Sequence, residues 1–384
     1  MSATATPPPR TTPTRRTAPE RLNEFWTRIS EGMEMNELWG QFKAEARSSY
    51  GLYSKDVRRT DYSHLPRWKQ VMNLAADFFW AVMTKLSPAR RILLLAALVL
   101  VFIGWFNANS GDVTHGWQAE SLGAILLLFV LVLEISDRII MKRDLEIARE
   151  IQRWLVPDKP PIVAGLDIAF VTRPANTVAG DYYDVLPIGK PEDARVLLAV
   201  ADVAGKSLPA ALLMATFQAS LHTLTGSCDT LIPLVEGVNR YACKHSRGGQ
   251  RFTTAFLAIL DTRTGEMTYV NAGHNAPMLR RTAAVIERLD AGGVPLGILP
   301  DAPYECGSTV VALGETLVIF TDGVVEANND REEEFDEARL IPLVERCGGL
   351  AAHDFIQNLT VEMDRFVGQA RQHDDITCLV VRRL

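Results

Sequence analysis

Four short segments of this 384-residue chain place aspartates where they could do chemistry. The first is Ala179-Gly180-Asp181-Tyr182-Tyr183-Asp184. The second is the apolar run that begins at Leu197 and breaks on Asp202, followed by Gly205 and then by residues 208–224 with helical periodicity. Its carboxylate is therefore held where strand, turn and helix meet. The pattern recurs where Leu317 to Phe320 runs into Thr321-Asp322-Gly323, and again where Asp374-Asp375 opens the apolar run Ile376 to Val381. Carboxylates gathered without His or Cys companions suit Mg²⁺ or Mn²⁺, which take oxygen ligands and keep several waters. A single aspartate at such a place is ordinarily a turn or helix-capping residue; four segments of one kind favour the metal reading. One carboxylate can bridge two ions, and two ions would acidify a shared water and draw charge from the group it attacks.

Five motifs, in order and spacing, carry a resemblance to a known family: Gly180-Asp181-Tyr182-Tyr183-Asp184, Asp202-Val203-Ala204-Gly205-Lys206, Asn271-Ala272-Gly273-His274, Thr321-Asp322-Gly323-Val324 and Asp374-Asp375-Ile376-Thr377. They resemble the bacterial stress-response and sporulation branch of the metal-dependent protein serine/threonine phosphatases (the PPM, or type-2C, family). The resemblance covers residues 150–384. It implies two Mn²⁺ or Mg²⁺ ions, with Asp202 as the bridge, the Val203 carbonyl beside it, Asp181 completing the first ion, and Asp322 with Asp374 on the second. Asp375 is the alternative if the register of the Asp-Asp pair is shifted by one. Hydroxide would attack phosphorus in line with no phosphoenzyme, in keeping with the lack of a Cys-x5-Arg loop. Family members of eukaryotic origin have a His two residues after the bridging Asp, where this chain has Ala204, so the acid for the leaving group is unassigned; His274 is the catalytic candidate beside Asp202, while a His in Asn-Ala-Gly-His more often pins a turn. Arg173 is the candidate phosphate ligand. Ala179 and Ser207 stand where bacterial members have glycine, and small side chains should preserve both turns.

Those residues need a scaffold of strands, and the text beyond Pro161 supplies it by switching to period two, with Leu166, Ile168 and Phe170 alternating. Thr253 to Leu260 and Glu266 to Asn271 are joined by a turn short enough to require an antiparallel pair. Helical stretches fall at residues 208–224, 231–245, 336–346 and 352–366. Grouped strands and grouped helices read as an α+β fold. The resemblance implies an αββα sandwich, two packed antiparallel sheets with outer helices.

The N-terminal part is of another kind. Residues 1–20 are Pro, Thr, Ala and Arg with little to bury, a disordered tail. Residues 21–88 alternate tryptophans with charges, a helical cap, a membrane-surface segment or a ligand-sensing domain. Residues 89–136 read as a transmembrane hairpin. Its first arm, 92–111, has no formal charge, and its second, 122–133, is fenced by Glu120 and Glu134. Arg90 and Arg91 precede the hairpin, Arg138, Lys142 and Arg143 follow it, and residues 107–121 contain neither Lys nor Arg. By the positive-inside rule both termini and the catalytic domain are cytoplasmic, on a multi-pass protein of the cell (inner) membrane. Residues 137–156 form a helical linker whose Ile140, Ile147, Ile151 and Trp154 could pair in a homodimer, and residues 157–384 form the phosphatase domain. A net charge of −6 argues against nucleic-acid binding. The five widely spaced cysteines fit a reducing compartment, with no zinc site.

The expected activity is hydrolysis of phosphoserine or phosphothreonine on a regulatory protein, the resemblance implying one of the anti-sigma-factor-antagonist type. The competing reading is a catalytically weak, membrane-tethered phosphoprotein-binding regulator, which would be expected to have lost a metal carboxylate; none is missing. A nucleotide cyclase would need a triphosphate-binding loop, and no GxxxxGK[ST] segment occurs.

Overall fold

A computed structural model of the chain describes residues 66–109, 113–189, 193–246, 251–281 and 285–384. The expectations for residues 1–20, and for the part of 21–88 before residue 66, lie outside them. The chain divides into two compact units between Ile135 and Ser136.

The first unit holds α1 (Arg67–Lys85), α2 (Pro88–Asn109) and the beginning of α3 (Val113–Leu155). Small residues let α2 and α3 approach closely. A Cβ on Gly123 would stand 2.7 Å from Val101 Cγ2 and 3.0 Å from the Ala97 carbonyl, and Arg90 meets Glu134 at 3.1 Å near the other end of the pair. Two successive helices are thus present where the hairpin was expected. Among the described residues, however, only Pro88–Asn107 is long and apolar enough to cross a membrane, with mean hydropathy 2.1. The second run, 122–133, spans only ~18 Å at 1.5 Å per residue before Glu134 interrupts it.

The second unit begins within α3, whose Ile140, Ile147, Ile151 and Trp154 are exposed in the single chain. There follow β1 (Leu166–Arg173), β2 (Tyr182–Ile188), β3 (Arg195–Val203), α4 (Leu208–Thr225), α5 (Leu231–His245), β4 (Thr253–Asp261), β5 (Glu266–Ala272), β6 (Met278–Arg280), β7 (Ile286–Arg288), β8 (Gly292–Gly293) and β9 (Gly307–Val310). The chain closes with β10 (Thr316–Phe320), α6 (Asp322–Val325), α7 (Glu337–Cys347), α8 (Ala352–Val367) and β11 (Ile376–Arg383). One sheet has the order β1-β11-β10-β6-β7, the other β2-β3-β4-β5-β8, with β9 also on β5. The expectation of purely antiparallel sheets is corrected at one point. Gly292–Gly293 runs parallel to Asn271 and Ala272, because a Cβ at Gly292 would lie 1.9 Å from the Asn271 carbonyl and only glycine allows that approach.

Strand parity explains the layering. On β3, Val196, Leu198 and Val200 face the other sheet and pack with Leu317, Ile319, Leu379 and Val381. The alternate residues Leu197, Ala199, Ala201 and Val203 pack under α4 and α5. β11 is likewise buried on both sides, its Ile376, Cys378 and Val380 lying under α7 and α8. A strand buried on both faces reads as a continuous apolar run, which is why β3 and β11 are legible. The same parity aims Asp181, Asp202, Thr321 and Asp375 into the layer between the sheets, at the end where that layer opens.

The turn from β3 into α4 departs from expectation. Ser207 takes φ 66°, ψ −150°, a region that glycine occupies freely and that costs an L-residue about 1–3 kcal/mol. The turn survives the loss of glycine, but under strain. Ser207→Gly should therefore raise stability by about 1 kcal/mol, net of the extra freedom glycine gives the unfolded chain. Denaturant titration of both proteins would show the gain, and an unchanged or lower midpoint would contradict the strain.

Candidate active site

Asp181 immediately precedes β2, and Asp202 is the penultimate residue of β3. The register that pairs Tyr182 with Ala201 sets them side by side. Gly180 tightens this contact, since a Cβ there would be 3.1 Å from the Val203 carbonyl and 3.7 Å from Asp202 Oδ1. From the opposite sheet, Thr321 Oγ1 donates to Asp181 Oδ2 at 2.9 Å. Asp322 follows as the first residue of α6, and Gly323 packs flat on the Asp374-Asp375 backbone, where a Cβ would fall 2.0 Å from the Asp375 carbonyl. Two glycines of the motifs thus act as spacers that let four chain segments converge.

Crowding of like charge has the expected electrostatic signature. Burial, then the Asp202 charge, push the Asp181 carboxyl well above the usual carboxylate range, against hydrogen bonds from Thr377 and Thr321. Asp202 is pushed up to about 7 by burial first, then by Asp322, Asp374 and Asp375. Burial and Asp374 raise Asp322. Buried carboxylates that repel one another are short of positive charge.

The Asp-Asp pair divides in function. Asp375 accepts backbone N–H bonds from Ala175 (2.7 Å) and Gly180 (2.6 Å), so it shapes the loop that presents Asp181. Asp374 instead accepts from Lys206 Nζ at 2.9 Å, and its other oxygen takes the Asp375 N–H. Among the described residues, no three His, Cys, Asp or Glu side chains are drawn into a cage for one ion. A fit to Mg²⁺ or Mn²⁺ does not require one, because such ions commonly hold one or two carboxylates and fill the remaining positions with water. An all-oxygen set with a charge deficit fits these ions.

His274 is not placed as an acid. Its backbone N–H donates to Asn271 Oδ1 at 2.7 Å, and Nδ1 lies 3.0 Å from Thr254 Oγ1. Burial drives its pKa down to about 4, so the ring is neutral near pH 7, and a neutral imidazole is a poor acid for a leaving group. The Thr254 that it meets pairs with Asp202 across β3 and β4. Arg173 is also committed elsewhere, donating to both Asp364 oxygens at 2.5 and 3.2 Å. Three partners were missed from sequence: Thr321, Lys206 and Gln152. Gln152, near the end of α3, exchanges two hydrogen bonds with the backbone of Ala179, 2.6 Å to its carbonyl and 2.9 Å from its N–H. The alanine-for-glycine position is thus held by this clamp, and the serine-for-glycine position is accommodated under strain.

Comparison with known proteins bears on the fold and the family. The model of Stage II sporulation protein E (SpoIIE) matches residues 192–384. The chain is 28% identical over 244 residues to phosphoserine phosphatase RsbU of Bacillus subtilis, a match covering 63% of this chain and 71% of that protein. It is 26% identical over 277 residues to protein IcfG of Synechocystis sp., covering 65% of this chain and 43% of that longer protein. In fold it is similar to the SiaA-PP2C domain of Pseudomonas aeruginosa, with TM-score 0.57 at 19% identity over 64% of this chain and 98% of that one. Phosphatases of this fold are metal-dependent. The chain belongs to the SpoIIE family, and its C-terminal unit is a serine/threonine protein phosphatase, a hydrolase.

Proposed function

We propose that this chain removes phosphate from a phosphoserine or phosphothreonine of a regulatory protein of the anti-sigma-factor-antagonist type, using divalent ions held by Asp181, Asp202, Asp322 and Asp374, with the Val203 carbonyl beside Asp202. The observation that carries this reading is the convergence of those carboxylates, each supplied by a different segment, at the open end of the layer between the sheets. Bound Mn²⁺ or Mg²⁺ would supply Lewis acidity toward water and the phosphoryl group. The chain's own residues do the rest. Asp375 and Gln152 fix the Ala179–Asp181 loop. Thr321 ties Asp181 to the opposite sheet, and His274 with Thr254 buttresses the β3 end from below. Similarity to RsbU, a phosphoserine phosphatase by name, supports a phosphoprotein as substrate.

Asp202→Asn removes the one carboxylate whose charge is coupled to all the others. It should lower turnover of a phosphoserine protein by at least three orders of magnitude, the scale on which loss of a metal's contribution to transition-state charge is felt. Chelation should do the same to the wild type, with recovery on adding Mn²⁺. Activity surviving either treatment would exclude the mechanism, and a wild-type chain that binds the phosphoprotein without releasing phosphate would favour the tethered-regulator reading.

The same proposal places the chain on the cell membrane through α2 and the apolar first part of α3, with both ends cytoplasmic, supported by the apolar length of α2, by the exposure of Ile92, Phe102 and Phe106, by the close α2–α3 contact at Gly123, and by the Arg and Lys residues that flank the pair while residues 107–121 have none. Reporter fusions at Ser110 should map outside the cytoplasm and fusions after Arg143 inside. Release of the chain by washing without detergent would contradict it.

A further inference from the structure

Lys206 belongs to the second aspartate motif, yet the mechanism above leaves its side chain without a task. Its ammonium lies 2.9 Å from Asp374 Oδ2 and 2.9 Å from the His373 carbonyl. Its charge also reaches Asp322 and Glu326. The backbone that carries it is bent to this end. Gly205 has φ 119° and Ser207 φ 66°, so both neighbours of Lys206 occupy a region that L-residues rarely adopt. The bend turns the lysine back over Asp374 at the point where α4 begins. No acidic residue stands in the first turn of α4, and no side chain caps it, which leaves the helix end favourable to an anion. The lysine side chain is 56% exposed, open to a macromolecular substrate. Arg173, which lines the cleft beside Asp374, is held by both oxygens of Asp364.

We propose that Lys206 has two alternative partners: in the ion-free chain its ammonium neutralises Asp374, and when a divalent cation takes that carboxylate the lysine turns to the phosphoryl oxygens of the substrate. This inference rests on the phosphatase reading and deepens it by naming a substrate-binding residue. A lysine is suited to such an exchange, because it is a compact charge on a flexible stem and loses little by changing partners. The first partner predicts competition with cations, the second a loss of phosphate affinity, and a merely structural lysine would produce neither.

The experiment compares the full chain with Lys206→Ala and Lys206→Arg. Calorimetric titration with Mn²⁺ should show Lys206→Ala binding the ion severalfold more tightly than wild type, since no ammonium competes for Asp374. With Mn²⁺ present, inhibition by inorganic phosphate should weaken about tenfold or more in Lys206→Ala, the worth of one charge-assisted hydrogen bond. KM for the phosphoserine substrate should rise in parallel, and Lys206→Arg should restore most of both. Equal phosphate inhibition in wild type and Lys206→Ala, or weaker Mn²⁺ binding by Lys206→Ala, would overturn the proposal. If the wild type released no phosphate, the phosphatase reading would fall; the Mn²⁺ titration would still decide whether Lys206 competes for Asp374.

Discussion

Negative charge packed into a poorly solvated mouth is the constraint from which the rest of this molecule follows. Asp181 and Asp202 lie side by side at the ends of adjacent strands, and burial raises both, joined at Asp181 by the Asp202 charge and at Asp202 by the charges of Asp322, Asp374 and Asp375. Such an arrangement opposes folding unless something offsets it. The structure answers partly with neutral donors: Thr321 toward Asp181, and the Ala175 and Gly180 N–H groups toward Asp375. It answers partly with Lys206 at Asp374. The remaining deficit is what a divalent cation would fill, so the same repulsion that destabilises the ion-free site gives the ion its affinity.

Holding these groups in place requires a scaffold that does not yield. Each of the central strands is apolar on both faces, with Leu198, Val200 and Phe256 fully buried between the sheets and Leu197, Ala199 and Ala201 fully buried beneath the helices. Moving β3 by one residue would exchange these two sets and turn Asp202 away from Asp181, so the hydrophobic register also fixes the register of the chemistry. Gly323 completes the arrangement by letting backbone approach where a side chain would collide, and Gly180 by leaving space that a Cβ would crowd.

Much of this was legible in the sequence, for identifiable reasons. Strands buried on both faces write themselves as unbroken apolar runs, so β3, β10 and β11 and the aspartates at their ends could be found, as could α5, whose limits match the expected residues 231–245. β6, β7 and β8 are two or three residues long, too short to carry a period, and they escaped. The two members of Asp374-Asp375 look alike in sequence, and only their partners separate the one that shapes a loop from the one that faces a cation. His274 closes the Asn-Ala-Gly-His turn, and its enclosed ring fits the turn-pinning role that this motif suggests rather than the catalytic one. Gln152 is one polar residue on a helix full of them, and its pairing with Ala179 depends on a contact 27 residues away. The hairpin expectation meets a helix of spanning length, among the described residues, only in its first arm, because its second apolar run is only twelve residues long.

The central claim is that the repulsion among these aspartates is resolved by divalent ions at their point of convergence, and anomalous diffraction at the manganese edge, from crystals grown with Mn²⁺, tests it most directly. The account predicts one anomalous peak in contact with Asp181 and Asp202 and a second in contact with Asp322 and Asp374, with the Lys206 ammonium displaced from Asp374. Density that left Lys206 on Asp374 and showed no manganese among these carboxylates, or manganese bound only elsewhere on the chain, would contradict it.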